Sequence, residues 1–497
     1  MQLHLTDARY THPGASQPIL DHITATFPSG WTGIIGANGC GKTTLATLAC
    51  RLLSLDSGML APSLFSIYCR QETDKAPEGL DDFTVDYSPW AIRLRTQLSI
   101  EDDWPWRFET LSHGERKRLQ IAVALAREPD VLAIDEPTNH LDAEARGIIA
   151  SALAQYRGIG LLISHDRTLL DTLAQRCLFM DGKAVTMRAG TYSQTSEQAE
   201  QERMATIHAR ENAQHELKRI AAEKARRADE ASRSAARRSG RNLAKHDSDG
   251  RERLRLAVIS GQDGKAGRIS AQMNVRVAAA QDKLSNVHVE KRYTGDVWME
   301  AQPSQRKTLV RMNAAAIPLG DARYLRIPDL AVGPTDRIGI CGPNGTGKST
   351  LLNALIKRFS PDIRTLFIPQ ELDECSIAQL LDRMHALSAE SLGRTMSIVA
   401  QMGSRPDRLM EGNAGSPGEL RKFMLAEGML GQPQAIVMDE PTNHLDITSI
   451  EALQRILADC PCALVLVSHD DALLQATTQT RWILEREPGG DTKLDVS

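Results

Sequence analysis

Two kinds of hydrophobic pattern share this chain. In its first part, short apolar runs at Trp31 to Ile35, Val131 to Ile134 and Gly160 to Ser164 alternate with helix-compatible segments. The same alternation returns in the last part, with runs at Arg337 to Cys341, Ala435 to Met438 and Ala463 to Ser468. Runs this short and apolar predict strands buried on both faces, and their alternation with helices predicts a mainly parallel sheet covered by helices. Helices are expected from Leu45 to Leu53 and from Leu351 to Ile356, each directly after a glycine-bearing segment.

The middle reads otherwise. From Thr195 to Tyr293 proline is missing, aromatics are few, and Ala, Arg, Glu and Gln dominate. Ile269, Met273, Val277, Ala280, Leu284 and Val287 step by threes and fours, which is one apolar helix face. The preceding half, with Met204, Ile207, Leu217 and Ile220, favours helix with a weaker pattern. Asp247 to Gly250 and Gly261 to Gly264 interrupt both and mark a turn region. Two long helices folded back on each other are expected, with a tip between Lys245 and Arg268. The expected α/β domains thus cover residues 1–193 and 304–497, with a helical hairpin linker over 194–303.

The two outer parts are copies of one another. Gly36-Ala37-Asn38-Gly39-Cys40-Gly41-Lys42-Thr43 is echoed by Gly342-Pro343-Asn344-Gly345-Thr346-Gly347-Lys348-Ser349. Asp135-Glu136-Pro137-Thr138-Asn139-His140-Leu141-Asp142 returns unchanged as Asp439 to Asp446. Ser164-His165-Asp166 returns as Ser468-His469-Asp470, Ser112-His113-Gly114-Glu115 as Ser416-Pro417-Gly418-Glu419, and Gln71 as Gln370. All recur in the same order at an offset of roughly 300 residues, the mark of a duplicated domain.

Each G-x-x-x-x-G-K-[ST] segment lies between a strand and a helix, where it can wrap the phosphates of a nucleotide. Its glycines (Gly36, Gly39 and Gly41; Gly342, Gly345 and Gly347) let backbone N–H groups turn inward, and the next helix offers its positive end to the anion. Asn38, Thr44, Asn344 and Thr350 complete the two loops. Lys42 and Lys348 are expected to reach the β- and γ-phosphates, with Thr43 and Ser349 as Mg²⁺ ligands.

Charge and cysteine usage narrow the setting. The chain has a formal net charge of -4, yet from Lys218 to Arg276 there are sixteen Lys/Arg against seven Asp/Glu. A basic helical arm between acidic domains favours a nucleic-acid contact over a merely solvated hairpin. The eight cysteines show no C-x-x-C spacing, against a disulfide framework, a zinc ribbon or an iron–sulfur domain. Cys460-Pro461-Cys462 is read as the start of a strand. A signal-peptide profile and a bilayer-length apolar run are both missing, so a reducing, cytoplasmic setting without stable membrane association is expected.

This motif set resembles the ATP-binding cassette family across both copies. The resemblance implies two tandem cassettes, each a P-loop NTPase sheet with a β-subdomain and a small helical subdomain. It implies ATP and Mg²⁺ as cofactors, Asp135 and Asp439 on the metal, and Glu136 and Glu440 polarising the attacking water. His165 and His469 would contact the γ-phosphate, and Gln71 and Gln370 join the metal and water network. Ser112 and Gly114 would complete the site built on Lys348, and Ser416 and Gly418 the site built on Lys42. Closure would therefore be an intramolecular pairing of cassettes in a monomer. Tyr10, in the first β-hairpin, falls where the family stacks an aromatic on adenine; Ala316 is its counterpart in the second copy.

Within the family the chain resembles the ABC-F group most, through paired E-P-T-N-H-L-D stretches and a charged helical linker. That implies ribosome binding through the tRNA exit site, with the linker reaching rRNA and P-site tRNA, and ribosome rescue or antibiotic protection as the task. The other reading is a tandem ATPase energising a separate membrane transporter. The short stretch between each glutamine and the following S-x-G-E argues against that.

Overall fold

The computed structural model describes residues 1–139, 141–181, 184–238, 262–286, 303–320, 323–404 and 417–496. They form two compact units, one of Met1–Thr195 with Arg292–Ser497 and one of Ser196–Lys291.

The first cassette begins with β1 (Gln2–Tyr10), β2 (Leu20–Pro28) and β3 (Gly30–Gly36), then α1 (Lys42–Ala49). β4 (Ser57–Ala61) and β5 (Ser66–Cys69) lead into the small helices α2 (Leu80–Val85) and α3 (Pro89–Gln97). There follow α4 (His113–Ala126), β6 (Val131–Asp135), α5 (Ala143–Leu153), β7 (Ile159–Ile163), α6 (Arg167–Leu173), β8 (Ala174–Asp181) and β9 (Ala184–Ala189). A six-stranded sheet runs β5-β6-β7-β3-β8-β9, parallel except at β9, beside an antiparallel sheet β2-β1-β4.

Every residue of β6 and β7 is buried, as unbroken apolar runs between helical layers require. Gly160 shows how tight that centre is. A Cβ there would lie 2.4 Å from the Trp31 ring, whose Nε1 donates to Leu153 O at 2.9 Å.

The helical unit comprises α7 (Tyr192–Arg238), which begins in the first compact unit, and α8 (Gln262–Asn286). Ile220, Met273 and Ala280 are buried together, with Leu217 and Val277 against them. Lys283 Nζ donates to Glu216 at 2.9 Å. Residue 216 facing 283 while 220 faces 273–280 makes the helices antiparallel. Asp263 and Gly264 lie inside α8, where a turn was expected through Arg268. Each helical glycine costs only ~1 kcal/mol, so Gly264 and Gly267 do not stop a helix among good helix formers. The rest of the expected tip falls outside the described residues.

The second cassette repeats the plan through β10 (Val310–Met312), β11 (Ala315–Gly320), β12 (Arg323–Ile327), β13 (Leu330–Val332), β14 (Arg337–Cys341) and α9 (Lys348–Ile356). It continues with β15 (Thr365–Ile368), α10 (Glu374–Ala386), α11 (Ala389–Gln401), α12 (Pro417–Leu430) and β16 (Ala435–Asp439). α13 (Ile447–Ala458), β17 (Ala463–Val467), α14 (Asp471–Thr477), β18 (Thr480–Arg486) and β19 (Thr492–Val496) complete it. Its eight-stranded sheet runs β11-β12-β19-β18-β14-β17-β16-β15. Both predicted helices after the phosphate loops are present, although α1 stops at Ala49, short of Leu53. Among the described residues no helix is long and apolar enough to cross a membrane.

Candidate nucleotide sites

In each cassette the carboxyl ends of the parallel strands deliver three loops to one crevice, the usual ligand position in an open α/β sheet. β3 ends at Gly36 and leads through the phosphate loop into α1. Gly41 and Gly347 take φ of 101° and 92°, a left-handed turn that starts each following helix without a Cβ penalty. β6 delivers Asp135 and Glu136, and β7 delivers Ser164 and His165.

The first crevice is a pocket of ≈ 240 Å³. Asn38, Gly39, Gly41, Lys42, Thr43, Thr44, Gln71, Asp135, Glu136 and His165 line it, together with His12, Ile19 and Ile163. Lys42 Nζ donates to Gly36 O at 2.7 Å and to Ala37 O at 3.1 Å, so its ammonium is held inside the loop that would cradle phosphate. Thr43 Oγ1 donates to Asp135 Oδ2 at 2.7 Å. A hydroxyl and a carboxylate held together at a phosphate loop suit a hard divalent cation.

Glu136 adopts φ 45° and Glu440 φ 47°, the left-handed region that costs a non-glycine residue of order 1 kcal/mol or more. The strain is held by Glu136 N donating to Ile163 O (2.9 Å) and Glu440 N to Val467 O (2.8 Å). Each carboxylate is buried, with His165 Nε2 3.2 Å from Glu136 Oε1 and His469 Nε2 3.6 Å from Glu440 Oε1. Neither Oε1, nor Asp439 Oδ1, has a hydrogen-bond partner among the described residues. Orphaned buried oxygens beside a phosphate loop are what a metal–nucleotide and its attacking water would satisfy.

Burial, and secondly the neighbouring Asp135, pushes Glu136 up to about 8. Burial also raises Glu440 to about 7. His165 and His469 are both pushed down to about 3, by burial first and then by Lys42 and Lys348 respectively. Both imidazoles are therefore neutral near pH 7.

The second site repeats these parts with a tighter lysine. Lys348 Nζ donates to Gly342 O (2.7 Å) and Pro343 O (3.1 Å), and also meets His469 Nε2 at 3.1 Å. Burial raises the Asp439 carboxyl, and the nearby Ser349 hydroxyl, Lys348 and Arg421 oppose that rise.

Each phosphate loop also touches the opposite cassette. Asp446 caps α13 with one oxygen, accepting from Ser449 N at 2.8 Å, and with the other accepts from Asn38 N at 3.0 Å. Asp142 does the mirror task, capping α5 through Ala145 N (3.0 Å) and accepting from Asn344 N (3.2 Å). Arg146 Nη1 donates to His469 O at 2.9 Å. Asp142 and Asp446 were not among the expected site residues. The available signal was an aspartate in N-cap position at the end of each repeated E-P-T-N-H-L-D.

Ser112 caps α4, accepting from Glu115 N at 3.3 Å while Ser112 N donates to Glu115 at 2.7 Å. A Cβ on Gly114 would lie 2.9 Å from Leu141 Cδ2, and one on Gly418 2.5 Å from His444 O. Both glycines thus pack against the segments that carry Asp142 and Asp446. Ser416 lies outside the described residues.

Tyr10 does not line the pocket. It is 7 % exposed, within the apolar core under β1 and β2, and meets His12 edge-on at 5.1 Å between ring centroids. His12 occupies the wall instead, its Nε2 3.1 Å from Thr44 Oγ1.

The family described as ABC transporter matches residues 20–139 and again 325–443. The chain is 26% identical to the ribosome protection protein VmlR of Bacillus subtilis over 94% of this chain and 84% of that one. It is 28% identical to the tylosin resistance ATP-binding protein TlrC of Streptomyces fradiae over 95% and 94% of the two chains. It is also 28% identical to the energy-dependent translational throttle protein EttA of Escherichia coli K12, over 94% and 88%. Among solved structures, the archaeal ribosome recycling factor aABCE1 in complex with the ribosomal stalk protein aP1 superimposes with a TM-score of 0.62 at 17% identity. That match covers 98% of this chain and 89% of the other, a likeness of fold.

Proposed function

Because this chain belongs to the ATP-binding cassette family, in its ABC-F group, and is an ATPase of that kind, we propose that it binds the ribosome and acts on translation through ATP-driven closure and hydrolysis. The observation that carries the ATP-driven closure is the reciprocal contact of Asp446 with Asn38 and of Asp142 with Asn344. It sets each phosphate loop against the opposite cassette. Similarity to proteins named for ribosome protection and translational throttling supports the ribosome as the target.

In this reading Lys42 and Lys348 exchange their loop carbonyls for the β- and γ-phosphates. Thr43 with Asp135, and Ser349 with Asp439, hold Mg²⁺, which when bound offsets the charge of the phosphates. Glu136 and Glu440 take the hydrogen bond of the attacking water, and the neutral His165 and His469 orient it by donating from one ring nitrogen. A divalent cation held by the neighbouring aspartate would favour the ionised, accepting form of each glutamate. The ring of His12 supplies the face for the base in the first site. Ser112 and Gly114 complete the Lys348 site, and Ser416 and Gly418 the Lys42 site, in a monomer.

The basic helical arm contacts rRNA and P-site tRNA from the tRNA exit site by charge and shape. Rescue of stalled ribosomes or protection from an antibiotic is the task this implies, in the cytoplasm. The experiment is sedimentation of the Glu136→Gln/Glu440→Gln double variant with ATP through sucrose. Co-migration with ribosomes is expected; recovery with membranes, or with neither, overturns the reading. Neutralising Arg237, Arg238, Arg251, Arg253 and Arg255 together should weaken that binding and flatten its salt dependence.

A further inference from the structure

The two aspartates proposed to hold metal have different neighbours. Asp135 Oδ2 accepts from Thr43 Oγ1 at 2.7 Å and also from Tyr68 Oη at 2.9 Å. Tyr68 is the third residue of β5 and pairs with Ala133, two residues before Asp135. In the second cassette Phe367 holds the same register, paired with Val437, two residues before Asp439. Phenylalanine has no hydroxyl, and Asp439 Oδ1 is the buried oxygen without a hydrogen-bond partner among the described residues. The Tyr68 ring packs on the core formed by β3, β6, β7 and α1, so its hydroxyl is aimed by packing.

We propose that Tyr68 is a positioning residue for the divalent cation of the first site, and that its hydroxyl makes the two nucleotide sites unequal in metal affinity. The proposal rests on the metal–nucleotide reading above. A phenol donating to a metal-holding carboxylate has two opposed effects. It withdraws some negative charge from the oxygen, which weakens the grip, and it fixes the carboxylate's rotamer, which strengthens it. Hydrogen bonds of this kind behind metal ligands act mostly in the second way, and their loss lowers metal affinity about 10–100-fold. Thr43 cannot substitute for Tyr68, because its hydroxyl is needed on the metal. Asp439 has no phenol behind it, and its Oδ1 is left without a hydrogen-bond partner among the described residues.

The test is a Mn²⁺ titration of the full chain, saturated with a non-hydrolysable ATP analogue and followed by electron paramagnetic resonance. Wild type should show two classes of bound Mn²⁺ with separate affinities and line shapes. Tyr68→Phe keeps the ring and removes only the oxygen. It should weaken the tighter class by about tenfold or more, broaden its hyperfine lines and leave the other class unchanged. Phe367→Tyr should bring the weaker class towards the tighter one. Tyr68→Phe with both classes at wild-type affinity overturns the proposal. Wild type that binds no Mn²⁺ with the analogue overturns the metal–nucleotide reading instead, so the two failures are told apart.

Discussion

The helix behind each S-x-G-E segment is anchored differently in the two cassettes. In the first, Lys117 of α4 is buried, and its Nζ donates to Arg70 O (2.6 Å), Gln71 O (3.2 Å) and Gln120 Oε1 (3.1 Å). His113 Nδ1 adds a contact to Thr73 Oγ1 at 3.1 Å. The segment carrying Ser112 is thereby tied mainly to its own glutamine loop, with a longer contact of Nζ to Asp135 O at 3.5 Å. In the second, Arg421 of α12 stands where Lys117 does and donates to Glu440 O (3.3 Å) and Asn443 O (3.1 Å). That segment is tied to the glutamate loop. An ammonium gathers carbonyls around a point, whereas a guanidinium reaches further with a planar fork. One Lys–Arg exchange between copies of one repeat accompanies a different set of carbonyl partners for the helix.

Three experiments press on this difference. The largest effect is expected from Glu136→Gln and Glu440→Gln made singly. Each should abolish turnover in its own site, a loss on the order of 10²-fold or more, measured as single-turnover phosphate release. If the two cassettes are wired alike, the two variants will leave equal residual rates; different residual rates are expected.

Next comes pH. Glu136 is raised to about 8 from the ordinary 4.5, so the folded, nucleotide-free chain keeps a proton that the unfolded chain gives up. Its contribution to stability is fully present below about 4.5 and is lost as pH rises through about 8. Glu136→Gln has no proton to lose. It should therefore match wild type in stability near pH 4.5 and exceed it progressively up to pH 8, by a few kcal/mol at most, read as a growing gap in melting temperature. Equal melting temperatures at pH 8.5 would contradict the buried carboxyl described here.

The smallest effect is expected from Lys117→Met. It strands the carbonyls of Arg70 and Gln71, and should lower stability in urea by about 1–3 kcal/mol. The activity readout is the decisive one. ATP affinity at the first site should fall more than at the second, since the loop set free belongs to the first.

Much of this chemistry was legible in the sequence because it is local and occurs twice. The phosphate loops, the Asp-Glu pairs and the two histidines sit within short windows, each at the end of an unmistakable apolar strand. Tyr10 shows where counting along a strand fails. β1 shifts register against β2 between Leu5 and Ala8 and again between Ala8 and Tyr10, which turns Tyr10 into the core and leaves the pocket wall to His12. Such bulges carry no side-chain signature of their own. Asp142 and Asp446 escaped for another reason. Their second oxygen bonds a residue some 200 or 400 positions away, and only the folded pairing of cassettes brings that partner near. Tyr68 was hidden likewise, as an ordinary residue of an apolar strand until register placed it beside Asp135.

The division of labour within Asp142 and Asp446 bears on how often the clamp can cycle. Because Oδ1 of each is committed to the start of its own helix, separation of the halves would release only Oδ2, and neither helix need fray. Rejoining is then a meeting of preformed surfaces with little ordering left to do, which keeps the entropic toll of each closure small. Under the proposed cycle of opening and shutting, these fasteners would stay assembled while undone.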